Sequence, residues 1–101
     1  MSQQLTVIAH LVTRPEKIDE AKMAMLSLIE KTRSEDGCLD YDLHQDNDNP
    51  MKFTFYEIWK NRQAWEEHME MSYLREFVAR GDEFFEIEPK IRFMTMISGR
   101  S

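Results

Sequence analysis

The chain predicts an α+β fold in the order βαββαβ, built on a four-stranded antiparallel sheet, and three observations carry that prediction. Four short segments are rich in β-branched and aromatic residues and are either apolar throughout or alternate in polarity. Two longer segments repeat apolar residues at steps of three and four. The three prolines and three glycines fall between these segments or near the ends, where they break periodic structure rather than interrupt it.

The first strand is expected over residues 5–12, where Leu5-Thr6-Val7-Ile8-Ala9-His10-Leu11-Val12 is apolar at both parities, as in a central strand covered on both faces. Thr13-Arg14-Pro15-Glu16 then reads as a helix start, with Thr13 as cap, Pro15 in the first turn and Glu16 at capping-box spacing. Ile18, Ala21, Met25, Leu28 and Ile29 form one face of a helix that should run to about Arg33. Gly37 is expected to supply a positive φ where helix hands over to strand.

Residues 38–45 alternate, with Leu39, Tyr41 and Leu43 on one side and Asp40, Asp42 and His44 on the other, the pattern of an edge strand. Asp46-Asn47-Asp48-Asn49-Pro50 is a turn signal, because Asn and Asp side chains bond to nearby backbone. The third strand, 52–59, places Phe53, Phe55, Glu57 and Trp59 on one face and Thr54, Tyr56 and Ile58 on the other. Asn61 is a candidate N-cap for a second helical region carrying Trp65, His68 and Met69 together. After a bend near Ser72 it continues through Tyr73, Leu74, Phe77 and Val78, and Pro89 ends it. Residues 90–98 supply the last strand, with Ile91, Phe93, Thr95 and Ile97 alternating with Arg92, Met94 and Met96.

A length of 101 residues fits one domain spanning the chain, and 42% hydrophobic with 32% charged residues is a globular composition. A net charge of −6 opposes binding to phosphate backbones and anionic lipid, so neither nucleic acid nor membrane is an expected partner. Met1-Ser2-Gln3-Gln4 shows no basic segment ahead of an apolar run, and no 18 consecutive residues are apolar. With one cysteine, Cys38, no internal disulfide is possible. The cytoplasm is the expected location.

The βαββαβ order is that of the ferredoxin-like motif, with both crossover helices on one sheet face. Large apolar groups at the other parity would leave that second face an apolar patch, which a second copy of the chain would cover, giving a homodimer.

The motifs Leu5-Thr6-Val7-Ile8-Ala9 with Arg14-Pro15, then Glu35-Asp36-Gly37-Cys38-Leu39-Asp40-Tyr41, Glu57-Ile58-Trp59, and Ala64 with His68 resemble, in order and spacing, the antibiotic biosynthesis monooxygenase family. The resemblance spans nearly the whole chain. It implies a homodimeric ferredoxin-like α/β barrel and, for the oxidising members, attack of O₂ on a small electron-rich aromatic molecule without metal or flavin, so no cofactor is expected. Trp59 matches the tryptophan that lies in the substrate cavity of polyketide-oxidising members. His68 matches a histidine that could remove a phenolic proton. His10, interrupting an apolar strand, is the third candidate, either a cavity group or a bonded core histidine. Trp65, Phe55 and Tyr73 are expected to line the substrate pocket. Phe55 and Trp65 stand where the polyketide-oxidising members carry an asparagine and a tyrosine.

The function expected is oxidation of a quinol or polycyclic phenol by O₂. The alternatives are an isomerase acting on a carbonyl or phosphorylated compound, for which Arg62, Arg75, Arg80 and Arg92 are the available cations, and a dimeric ligand-binding or stress-response domain without turnover. No metal site is expected, since no local two-histidine or paired-cysteine spacing occurs. Where the haem-degrading members carry an asparagine this chain has His10, and where they carry a ligand histidine it has Val78, which cannot coordinate iron. Cys38 lacks an adjacent cation to activate it, and His44 should face solvent.

Overall fold

The computed structural model describes residues 4–99. Its strands are β1 (Leu5–Val12), β2 (Cys38–Gln45), β3 (Lys52–Trp59) and β4 (Lys90–Met94). They form one open antiparallel sheet in the order β2-β3-β1-β4, the ferredoxin-like arrangement, with β1 central and β2 and β4 at the edges. The helices are α1 (Ile18–Leu26), α2 (Ile29–Arg33), α3 (Arg62–Met69), α4 (Ser72–Ala79) and the short α5 (Gly81–Phe84). They cover the sheet face that carries Val7, Ala9 and Leu11 from β1 and Phe53, Phe55, Glu57 and Trp59 from β3. The parity of β3 is therefore the one its alternation predicts. Among the described residues no helix is long and apolar enough to cross a membrane.

The first helical region splits where Ser27 turns its hydroxyl onto the carbonyl of Ala24, a local bond that competes with the helical ladder. Ala21, Met25 and Leu28 still face the core. Thr13 is no cap. It is fully buried beside β1, bridged to Phe85, and its N–H donates to Met51 O at 2.8 Å. The first turn starts one residue later, with Pro15 leading it as expected.

Gly37 does not use a positive φ. A Cβ at this position would lie 2.3 Å from Cβ of Ala64. Glycine is required here because β2 begins against the first turn of α3, and the two chains approach too closely for a side chain. That same turn is capped as the sequence predicts, the Ala64 N–H donating to Asn61 Oδ1 at 2.8 Å.

Between β2 and β3, Asp46 Oδ2 accepts from the N–H groups of Asp48 and Asn49, and Asn49 Oδ1 accepts from Met51 N–H. These are the self-bonded turns that the Asn/Asp run predicts. A register shift between Cys38 and Asp40 pushes Leu39 out to solvent, so Tyr41 and Leu43, but not Leu39, join the core face. Ladder pairing of β4 ends at Met94, opposite Thr6, short of the expected Ser98, because β1 begins at Leu5 and offers almost no further partner.

Candidate functional site

Between the helix-covered sheet face and helices α3 to α5 lies a cavity of about 530 Å³. Its walls are mostly apolar and aromatic, with Phe55 on the sheet, Trp65 and Met69 on α3 and Phe77 on α4. Sites that bind small molecules have this size and character. Among the polar side chains that line it are His68 from α3 and Glu57 from β3, with Tyr41 of β2 beside them and Arg14, Asp82, Glu86 and Glu88 also on the lining.

His68 is 2% exposed. Its Nδ1 lies 2.8 Å from Oε2 of Glu35, a carboxylate brought in from the turn between α2 and β2. The same oxygen accepts the Tyr73 hydroxyl from α4. A carboxylate on Nδ1 selects the tautomer that donates there, leaving Nε2 as the acceptor, and Nε2 has no partner among the described residues. Burial pushes the His68 pKa down, opposed by the bond to Glu35 and its charge, so the imidazole is neutral near pH 7. A neutral imidazole with a free acceptor nitrogen on a cavity wall is placed to remove a proton, and Glu35 would hold the cation that results.

Glu57 is 5% exposed. Trp59 Nε1 donates to its Oε1 at 2.9 Å, and no partner for Oε2 occurs among the described residues. Burial pushes its pKa up to about 7, offset in part by the bond from Trp59 and reinforced by the charge of Glu35. The carboxyl is therefore partly protonated at neutral pH. It could act as donor or acceptor toward a ligand.

The structure gathers some of the expected residues and separates others. His68, Phe55 and Trp65 meet at the cavity. Trp59, expected as an aromatic wall, is 0% exposed and sits one layer behind, its ring 4.7 Å from that of His68 between centroids. It occupies the end of β3, paired with Leu5 and Cys38, where α3 closes over it. Tyr73 faces away from the cavity into a smaller groove of about 200 Å³ beside Lys31 and Arg80, and touches the site only through Glu35. His10 is on the opposite face of the sheet, exposed, with Nδ1 3.1 Å from Oγ1 of Thr54. It cannot share a ligand with His68, because even-numbered residues of β1 point away from the helices.

Glu35 and Glu57 were missed. A carboxylate at the core parity of β3, between Phe55 and Trp59, was a visible signal for Glu57. Nothing local marked Glu35, which meets His68 only through the tertiary fold.

Arg62 lies over the Phe93 ring at 4.0 Å, Arg80 pairs with Glu83 at 2.9 Å, Arg92 is on the far sheet face and Arg75 is exposed. The four arginines do not converge on the cavity. Burial pushes the Cys38 thiol up to about 11, away from nucleophilic reactivity. His44 is exposed. Among the described residues no three His, Cys, Asp or Glu side chains gather as metal ligands.

The fold and site together define an α+β ferredoxin-like domain with a histidine–carboxylate pair opening on an aromatic cavity. The profile of the family described as "Antibiotic biosynthesis monooxygenase" matches residues 4–80, and the chain belongs to that family. It is 33% identical over 75 residues to "Putative monooxygenase YcnE" of Bacillus subtilis, covering 74% of this chain and 79% of that protein. It is also 33% identical over 76 residues to the uncharacterized protein sll1783 of Synechocystis, covering 75% of this chain. The match spans 52% of sll1783, about half of its length. The crystal structure of PA3566 from Pseudomonas aeruginosa superposes with a TM-score of 0.89 at 31% identity, covering 97% of this chain and 98% of that one.

Proposed function

We propose that the protein is a cofactor-independent monooxygenase that oxidises a quinol or polycyclic phenol with O₂. The observation that carries the reading is His68, buried at the cavity with Nδ1 held by Glu35 and Nε2 free. Nε2 takes the phenolic proton, and Glu35 stabilises the imidazolium. The phenolate, held among aromatic walls with little water, transfers one electron to O₂ more readily than it would in bulk solvent. Superoxide and the phenoxyl radical recombine at a ring carbon, and the His68 proton passes to the peroxide. For a phenol with a free para carbon, loss of that carbon's hydrogen as a proton and cleavage of the O–O bond give the para-quinone and water. One phenol and one O₂ yield one quinone and one H₂O.

The outer sheet face supports the pairing of two copies. Ile58 is buried, Ile8, Val12 and Tyr56 are half-buried, and Met94 is exposed there, interleaved with Thr54, His10 and Arg92. Two such faces in contact would complete a dimeric barrel from two open sheets. The same reading puts the reaction in the cytoplasm. The test is oxygen consumption by metal-free, flavin-free protein over a panel of hydroquinones and polycyclic phenols, with light scattering to count the subunits. Uptake that falls by about a hundredfold or more in His68→Ala is expected. Uptake that survives the substitution with an unchanged pH profile would remove His68 as the base.

A further inference from the structure

We propose that Glu57 determines which ligands this cavity accepts: it contacts an uncharged, oxygen-bearing aromatic and turns away aromatics that carry a carboxylate or phosphate. The proposal rests on reading this cavity as the ligand site, and it adds a residue and a charge rule to that reading.

Three observations support it. Glu57 is nine-tenths buried yet lines the cavity, and its second carboxyl oxygen has no partner among the described residues. That oxygen is open to the cavity, where a polar group of a ligand can bond it. The Trp59 indole N–H fixes the other oxygen, so the carboxyl cannot swing away from a ligand without losing that bond. The rest of the wall is poor in cations. Asp82, Glu86 and Glu88 line the cavity beside Arg14, whose Nε is already committed to the carbonyl of Asp82. An anionic ligand would meet Glu57 at the floor and acidic residues at the margin. A phenol or quinone oxygen would meet a donor or acceptor that adjusts its own proton.

The groups that face Glu57 are few. Tyr41 lies opposite it on β2, with Cys38 at the start of the same strand and Glu35 just before it. His68 faces it from α3. On β1 its partner is Val7, which does not titrate. Glu57 is protonated below about pH 7 and charged above it. Rejection of anions should therefore sharpen as pH rises through that point.

The test is equilibrium binding, read by tryptophan fluorescence and calorimetry, of two probes matched in shape: 6-hydroxy-2-naphthamide, uncharged, and 6-hydroxy-2-naphthoate, an anion. Both are titrated into the full-length protein and into Glu57→Gln at about pH 5.5 and about pH 8.5. Gln keeps the acceptor for the Trp59 indole and removes the charge. In the wild type the preference for the amide is expected to widen at least about tenfold between the two pH values, as like charges in a cavity of intermediate dielectric require. In Glu57→Gln the widening should shrink to whatever His68 and the margin acids contribute in both proteins, so the difference between the two proteins reads Glu57 alone. If the variant does not fold, the wild-type pH series decides alone. A preference that is flat with pH in the wild type, widening in Glu57→Gln as large as in the wild type, or failure of the amide to bind would each overturn the proposal. Turnover is not part of the readout, so binding with the expected charge rule but no oxygen uptake would retire the monooxygenase reading and leave the role of Glu57 standing. Uptake without the charge rule would do the reverse.

Discussion

Replacing Glu57 by Gln should make the protein's stability less sensitive to pH between 5.5 and 8.5, and the size of the effect follows from the structure. Burial carries this carboxyl from an ordinary value of 4.5 to about 7. Over the intervening range the native state holds a proton that the unfolded chain has released, so the wild type is favoured at low pH and loses that advantage as pH rises. The full effect, from well below 4.5 to well above 7, is about 3 kcal/mol at 1.36 kcal/mol per tenfold change. Between about pH 5.5 and about pH 8.5 the same linkage leaves about 2 kcal/mol. Gln carries no proton to lose, and every other titrating group is shared. The stability gap between the two proteins should therefore move by about 2 kcal/mol in favour of Glu57→Gln on going to the higher pH. Urea denaturation at both pH values measures it. With a slope of about 1 to 2 kcal/mol per molar for a domain this size, the midpoint gap should shift by about 1 to 2 M. A gap that stays constant would mean that Glu57 titrates as an exposed carboxylate, and the desolvation argument would fail.

Glu35→Gln should lower the rate of oxygen uptake by about a hundredfold or more, because the imidazolium formed on His68 loses its counter-charge. The acid limb of the pH–rate profile should move to lower pH, since Glu35 is what opposes the downward effect of burial on His68; a limb that moves up would reject the pair. Gly37→Ala forces a methyl into Ala64 across a 2.3 Å gap and should cost about 1 to 3 kcal/mol by urea denaturation, with Ala64→Gly in the same chain recovering part of it. His10→Ala should leave uptake within about twofold, because its ring lies on the far face of the sheet.

Periodicity carried most of the fold. The parity of β3, the cap at Asn61 and the Asn/Asp turn were all readable, because each depends on residues within a few positions of one another. What was misread depends on contacts from elsewhere in the chain. Thr13 looks like a cap until Phe85 arrives to bridge it, and Gly37 looks like a positive-φ residue until α3 closes against it. In the candidate site, the resemblance named residues by motif and could not separate cavity wall from the layer behind it: His68 lines the cavity, whereas Trp59 lies behind it and Tyr73 lines a neighbouring groove. His10 is separated from the cavity by parity alone. It alternates with Val7, Ala9 and Leu11, and that pattern was sufficient to put it on the other face.

Two buried ionisable groups in one cavity, shifted in opposite directions by the same cause, bear directly on the proposed oxidation of an aromatic by O₂. Burial lowers the pKa of His68 and raises that of Glu57, and in each case it is the uncharged form that gains. At neutral pH one is a free base and the other is still partly an acid, an acid–base division set by environment rather than by residue type. Because neither need be charged at rest, an apolar substrate of the proposed kind would enter without displacing a tightly held hydration shell. In the proposed reaction, charge would appear on the histidine only once the phenol has given up its proton, with Glu35 already bonded to the other ring nitrogen. Tyr73 has a use in the same scheme. By donating to the oxygen of Glu35 that faces His68, it keeps the carboxylate oriented toward the imidazole.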